Sequence, residues 1–163
     1  MKTITLRALT WPLYVGTLIT LVIHAMWGTN KWFEKGVLFT RLKAESWPSR
    51  TWYRAWAGTT FGYGVMISAT ASESVIDHEL IHVEQYQAAS IGGLALGLLV
   101  LAITHSVWGI AAFFALWMLT HWAVYFAATF TAWLRREPNA YRGNCWEEAA
   151  YAETEVKCRT PQV

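Results

Sequence analysis

The chain divides first by polarity. Residues 9–27 (LTWPLYVGTLITLVIHAMW) form an uncharged run, residues 28–90 mix charge with short apolar stretches, and residues 91–134 contain no Asp, Glu, Lys or Arg. The first run is bracketed by Trp11 and Trp27 and is long enough to cross a bilayer as a helix. Lys2 and Arg7 precede it, but no small-x-small cleavage site follows, so it reads as a retained span rather than a signal peptide. The 91–134 stretch is too long for one span and suits two, with Thr104-His105-Ser106 as the polar turn. This predicts helices near 88–104 and 107–134, the first short enough to need length from the helix before it. Gly92, Gly93 and Gly97 suit close packing between such helices.

The middle and the end of the chain read differently. Segments 50–57 (RTWYRAWA) and 61–68 (FGYGVMIS) are aromatic and β-branched, with Gly58 between them, and predict a β-hairpin. Two consecutive capping boxes, Thr70 to Glu73 and Ser74 to Asp77, predict a helix start that runs on through HELIHVEQYQAA. Pro138 and Gly143 punctuate a loop, after which Asn144 caps a last helix over 145–157.

Composition sharpens the picture. Apolar residues make up 55% and charged residues 15%, against about 25% in ordinary soluble domains. Eleven Trp fit a chain with membrane–water interfaces. The fold class expected is therefore an α+β membrane protein: one domain, 1–163, with three transmembrane helices carrying soluble elements over about 50–90 and 144–157. A net charge of +2, with no basic stripe among aromatics, is too small to suggest nucleic acid, and no nucleic-acid partner is expected. Cys145 and Cys158 lie about 20 Å apart on one helix, too far for a disulfide, and are expected as free thiols. His24 and His121 fall inside predicted spans without an acidic partner, and are expected as neutral imidazoles hydrogen-bonded between helices.

The sharpest signal is His78-Glu79-Leu80-Ile81-His82, an HExxH motif on a predicted helix. Residues four apart on a helix are rotated by only about 40°, so both imidazoles can share one Zn²⁺. Glu79, about 100° round from His78, can reach a water held by the ion without occupying the ion, which is the place of a general base. Catalytic zinc takes three protein ligands as a rule. An HExxHxxGxxH extension fails, because position 88 is Ala88. Glu84 points off the metal face, and His105 and His121 belong to the membrane hairpin. The acidic last helix remains, offering Glu147, Glu148, Glu153 or Glu155.

HELIHVEQY (78–86) and NCWEEAAY (144–151) together resemble the gluzincin branch of the zincin metallopeptidases, in which a downstream glutamate joins the two histidines. The second block is similar to the Asn-x-x-Glu-x-x-Ala-Tyr pattern of small HExxH families, with Asn144, Glu147, Ala150 and Tyr151 in register. The resemblance implies Glu147 as third ligand and leaves Glu148 off-register. Gln85, Tyr151 and Asn144 are candidates to orient a ligand or touch substrate. The GTTFGYGVMI stretch (58–67) resembles the edge strand zincins place before the motif helix, so Tyr63, Val65 and Ile67 are expected to pair with a substrate backbone. The implied activity is zinc-dependent hydrolysis of a polypeptide, a membrane-associated one being the spatially convenient substrate; the alternative is a non-enzymatic membrane scaffold with a structural or vestigial zinc site.

Topology agrees with this chemistry. Two crossings between His82 and Glu147 return the chain to its starting side, so the three ligands can meet. That side carries eleven Lys and Arg, against two on the N-terminal side. The positive-inside rule then places the site on the cytoplasmic side of a cell or inner membrane and the N-terminus outside. Oligomeric state leaves no mark on the sequence.

Overall fold

A computed structural model describes residues 2–51, 57–136 and 143–159. Two units emerge, one of Met1–Leu13 with Glu84–Ala149, the other of Tyr14–Val83 with Ala150–Val163. The fold is α+β, with six α-helices and one four-stranded sheet among the described residues.

The second unit is built on that sheet, whose order is β1-β2-β4-β3. Strands β1 (Gly28–Glu34) and β2 (Val37–Leu42) form an antiparallel hairpin that the sequence reading missed. Its two-residue turn places Lys35 at φ 46° and Gly36 at φ 73°, both left-handed, as a turn matching the strand twist requires. Trp32 opposes Phe39 and stacks on it at 5.4 Å. β2 continues in parallel to β4 (Gly64–Ile67), and β3 (Gly58–Phe61) closes the sheet antiparallel to β4.

The predicted hairpin is therefore real but displaced. Gly58 opens β3 instead of making the turn, and Gly62, at φ 59°, turns the chain. Of the expected first strand 50–57, Arg50 belongs to the short helix α3 (Trp47–Arg50), and residues 52–56 lie outside the described residues. Val65 and Ile67 were expected on an open edge, with Tyr63 beside them. They lie on β4, an interior strand with β2 on one side and β3 on the other, and all three residues are buried. The terminal strands are β1 and, next to β4, β3.

Helix α2 (Tyr14–Trp27) lies on this sheet. It comes so close that a side chain at Gly16 would collide with the backbone of Phe61, and one at Gly64 with Thr20 and Gly16. Leu42 and Met66 form a buried cluster against Ile23, Trp27 and Phe61. His24, expected to bond between helices, instead places Nδ1 2.8 Å from the Thr40 hydroxyl of β2.

Among the described residues two helices, not three, are long and apolar enough to cross a membrane: α4 (Glu73–Thr104) and α5 (Val107–Leu134). The run 9–27 fails because it is broken. α1 (Lys2–Leu9) ends before a 3₁₀ turn at Trp11–Leu13, and α2 follows with 14 residues. Pro12 has no N–H and disrupts the helical ladder, so the Leu13 N–H donates to Thr10 at 3.0 Å and not to Leu9. The Leu9 carbonyl accepts instead from the Trp117 indole of α5 at 2.9 Å, with Trp11 edge-on to Trp117.

The segment expected at 88–104 is the continuation of α4, whose 32 residues also contain the motif. His105, at φ 45°, turns the chain, and Ser106 caps α5 by accepting from the Gly109 N–H at 3.1 Å. Gly93 faces Leu116 and Thr120, and Gly97 faces Phe113, whereas Gly92 opens outward. Two of the three expected packing glycines thus serve the α4–α5 contact.

Candidate metal centre

Helix α4 begins at Glu73, inside the stretch where the capping boxes lie. There the Ser72 hydroxyl meets that of Ser74 at 2.7 Å. The chain reaches α4 from β4 through residues 68–72. The Arg41 guanidinium of β2 holds that connection, its Nη1 lying 3.3, 3.2 and 3.1 Å from the carbonyls of Ser68, Ala69 and Ala71. The motif follows one turn into the helix.

His78 and His82 share a helix face, as their spacing dictates, and both are buried. Their Nε2 atoms lie 3.2 Å apart, with the rings edge to face at 4.8 Å. The His78 ring also packs on Tyr151 of α6 (Cys145–Arg159), centroids 4.5 Å apart. Glu79 is 3% exposed, and its carboxylate accepts from the Thr60 hydroxyl of β3 at 2.6 Å.

Asn144 starts α6 as expected: its Oδ1 accepts from the Trp146 N–H at 2.9 Å, and its amide donates to Thr129 of α5 at 2.8 Å. One turn on, Glu147 is 1% exposed, with the Tyr125 hydroxyl 3.4 Å from its Oε1. Ala150, on the same face, is wholly buried. Among the described residues, His78, His82 and Glu147 form a group able to hold a metal ion, their ligand atoms all within 4.8 Å of one another. Comparison with family models, with curated proteins and with solved structures finds no match.

The remaining candidates separate clearly. Glu84, Glu148 and Glu153 are exposed, and the side chain of Glu155 lies outside the described residues. Gln85 donates from Nε2 to the Trp146 carbonyl at 3.0 Å, tying α4 to the first turn of α6. His121 is buried, its ring 5.4 Å from those of both Tyr86 and Trp122. Cys145 is an exposed free thiol, and the Cys158 side chain lies outside the described residues. Sequence reasoning missed Thr60 and Tyr125. Nothing in the strand pattern marks Thr60, whereas a tyrosine within an uncharged stretch was a signal available for Tyr125.

Proposed function

We propose that the protein is a zinc-dependent peptidase working at a membrane surface, with His78, His82 and Glu147 as ligands and Glu79 as general base. The observation that carries this reading is the convergence of the ligand atoms of those three buried residues within 4.8 Å, with a buried glutamate, Glu79, on the helix of the two histidines. Two neutral imidazoles and one carboxylate are a donor set of catalytic zinc, which keeps a fourth position open. The 3.2 Å between the two Nε2 atoms, a distance that a hydrogen bond between the rings also gives, is one that two ligands of a shared zinc can have. Bonds of about 2.0–2.1 Å in a tetrahedral set put ligand nitrogens about 3.3 Å apart. The gluzincin resemblance of the two sequence blocks supports the same assignment.

Zinc, when bound, supplies Lewis acidity and makes water acidic near neutral pH. Glu79 takes the proton of the attacking water and returns it to the leaving amine. The substrate we propose is a polypeptide, membrane-associated and lying along β3, the terminal strand nearest Glu79. The Lys and Arg distribution favours a cytoplasmic site.

Metal analysis of the purified chain, paired with cleavage of an unfolded polypeptide, tests the reading. One zinc per chain is expected in wild type and in Glu79→Gln, with activity in the variant lower by about 10²- to 10⁴-fold. Undiminished cleavage by Glu79→Gln removes Glu79 as base. A zinc-loaded wild type that cleaves no unfolded polypeptide turns the reading towards a scaffold.

A further inference from the structure

Strand β3 meets the motif helix through two alternate residues, Gly58 and Thr60, which share one face of the strand. Both touch the same side chain. Thr60 Oγ1 lies 2.6 Å from Glu79 Oε2 and 3.2 Å from the Glu79 carbonyl oxygen. The shorter contact is the stronger, as a hydroxyl donating to a carboxylate should be. Gly58 lies against the other oxygen: a Cβ there would collide with Glu79 Oε1. Thr60 is 5% exposed and Glu79 3%, so no bulk water competes for these positions.

We propose that Thr60 is a positioning residue for Glu79, its hydroxyl fixing the carboxylate plane while Gly58 leaves room for the second oxygen. This rests on the reading of Glu79 as general base. The last torsion of a glutamate is broad and nearly two-fold, so the backbone of α4 alone does not aim the carboxylate. A hydroxyl on a strand does, because Thr60 is held in register opposite Val65 of the interior strand β4. With Oε2 held by Thr60 and Oε1 lying against Gly58, the carboxylate plane is set from both sides. A base misplaced by about 1 Å can cost about 10²-fold in rate, which is the scale of effect the hydroxyl controls.

The test uses the full chain and three variants. Thr60→Val, close in shape but without a donor, is expected to keep its zinc and KM while losing about 10²-fold in kcat. Thr60→Ser restores the hydroxyl and is expected to recover most of that loss. Gly58→Ala, which displaces the carboxylate from the other side, is expected to lower kcat in the same way, and it decides the matter if Thr60→Val fails to fold. Wild-type kcat in Thr60→Val overturns the proposal, as does a Thr60→Ser variant no better than Thr60→Val. Loss of zinc from a folded Thr60→Val chain also overturns it, since Glu79 is not a ligand. Infrared spectroscopy separates this proposal from the peptidase reading. The carboxylate band that disappears in Glu79→Gln is expected to shift in Thr60→Val and return in Thr60→Ser. If wild type proves inactive, the peptidase reading fails while the band still decides the positioning; an unmoved band ends the proposal whatever the activity.

Discussion

Glu147 and Glu148 are adjacent on α6 and chemically identical, yet one is buried beside two histidines and the other is exposed. Helical geometry turns neighbours about 100° apart, so only one of the pair can face the imidazoles. Glu147→Ala is therefore expected to weaken zinc binding by on the order of 10²-fold or more, and Glu148→Ala to leave it within about twofold, as measured by competition with a chelator. The opposite pattern would shift the site by one residue. Much at this scale was legible beforehand. The four-residue spacing of His78 and His82, and the Asn144-to-Tyr151 register, named the three side chains that the structure groups. Thr60 and Tyr125 were not legible, because each meets its carboxylate through the fold: Thr60 is 19 residues from Glu79, and Tyr125 is 22 from Glu147.

Among elements, the connection from β4 into α4 is where a single residue does most to shape the approach to the motif. Three carbonyls converge on the Arg41 guanidinium, and a part-buried carbonyl that loses a charged donor is costly. Arg41→Met, which keeps the aliphatic stem, is expected to lower stability by about 1.5–3 kcal/mol, the range for hydrogen bonds to a charged group. A shift of the denaturation midpoint without a change of slope would show it; an unmoved midpoint would mean that the carbonyls find water instead. The long helices were readable because 44 uncharged residues with one polar interruption admit few arrangements. The β1–β2 hairpin was not. β2 is buried at five of its six positions, so its sequence lacks the alternation that marks a strand with one wet face. The turn between its strands uses Lys35, a residue with no special liking for a positive φ. The break in the first apolar run was signalled by Pro12, whose effect on the ladder outweighs the hydropathy of the residues around it.

For the molecule as a whole, chain order and hydropathy make a simple demand: the turn between α4 and α5 and the start of α6 lie on opposite sides of any bilayer that both helices cross. The exposed Cys145 provides one reporter. In a Cys158→Ser background, Cys145 is expected to resist an impermeant thiol reagent applied to intact cells, whereas a cysteine at Ser106, with Cys145 also replaced, is expected to react. Reversed labelling would put the metal centre outside. The number of membrane-long helices was overcounted from sequence, since hydropathy registers the composition of a run and not its continuity. The place where that run breaks has a consequence in time. The Leu9 carbonyl is satisfied by a side chain 108 residues later in the chain. Trp117 lies about 15 Å along α5, a helix long and apolar enough to cross a bilayer, and a carbonyl without a donor is costly wherever water is excluded. At about 5–20 residues per second, synthesis leaves the N-terminal segment waiting several seconds for its partner. Chains arrested on the ribosome before Trp117 has emerged are accordingly expected to leave Lys2–Leu9 open to protease, and chains arrested after α5 is complete to protect it; equal protection in both would mean that the segment settles unaided.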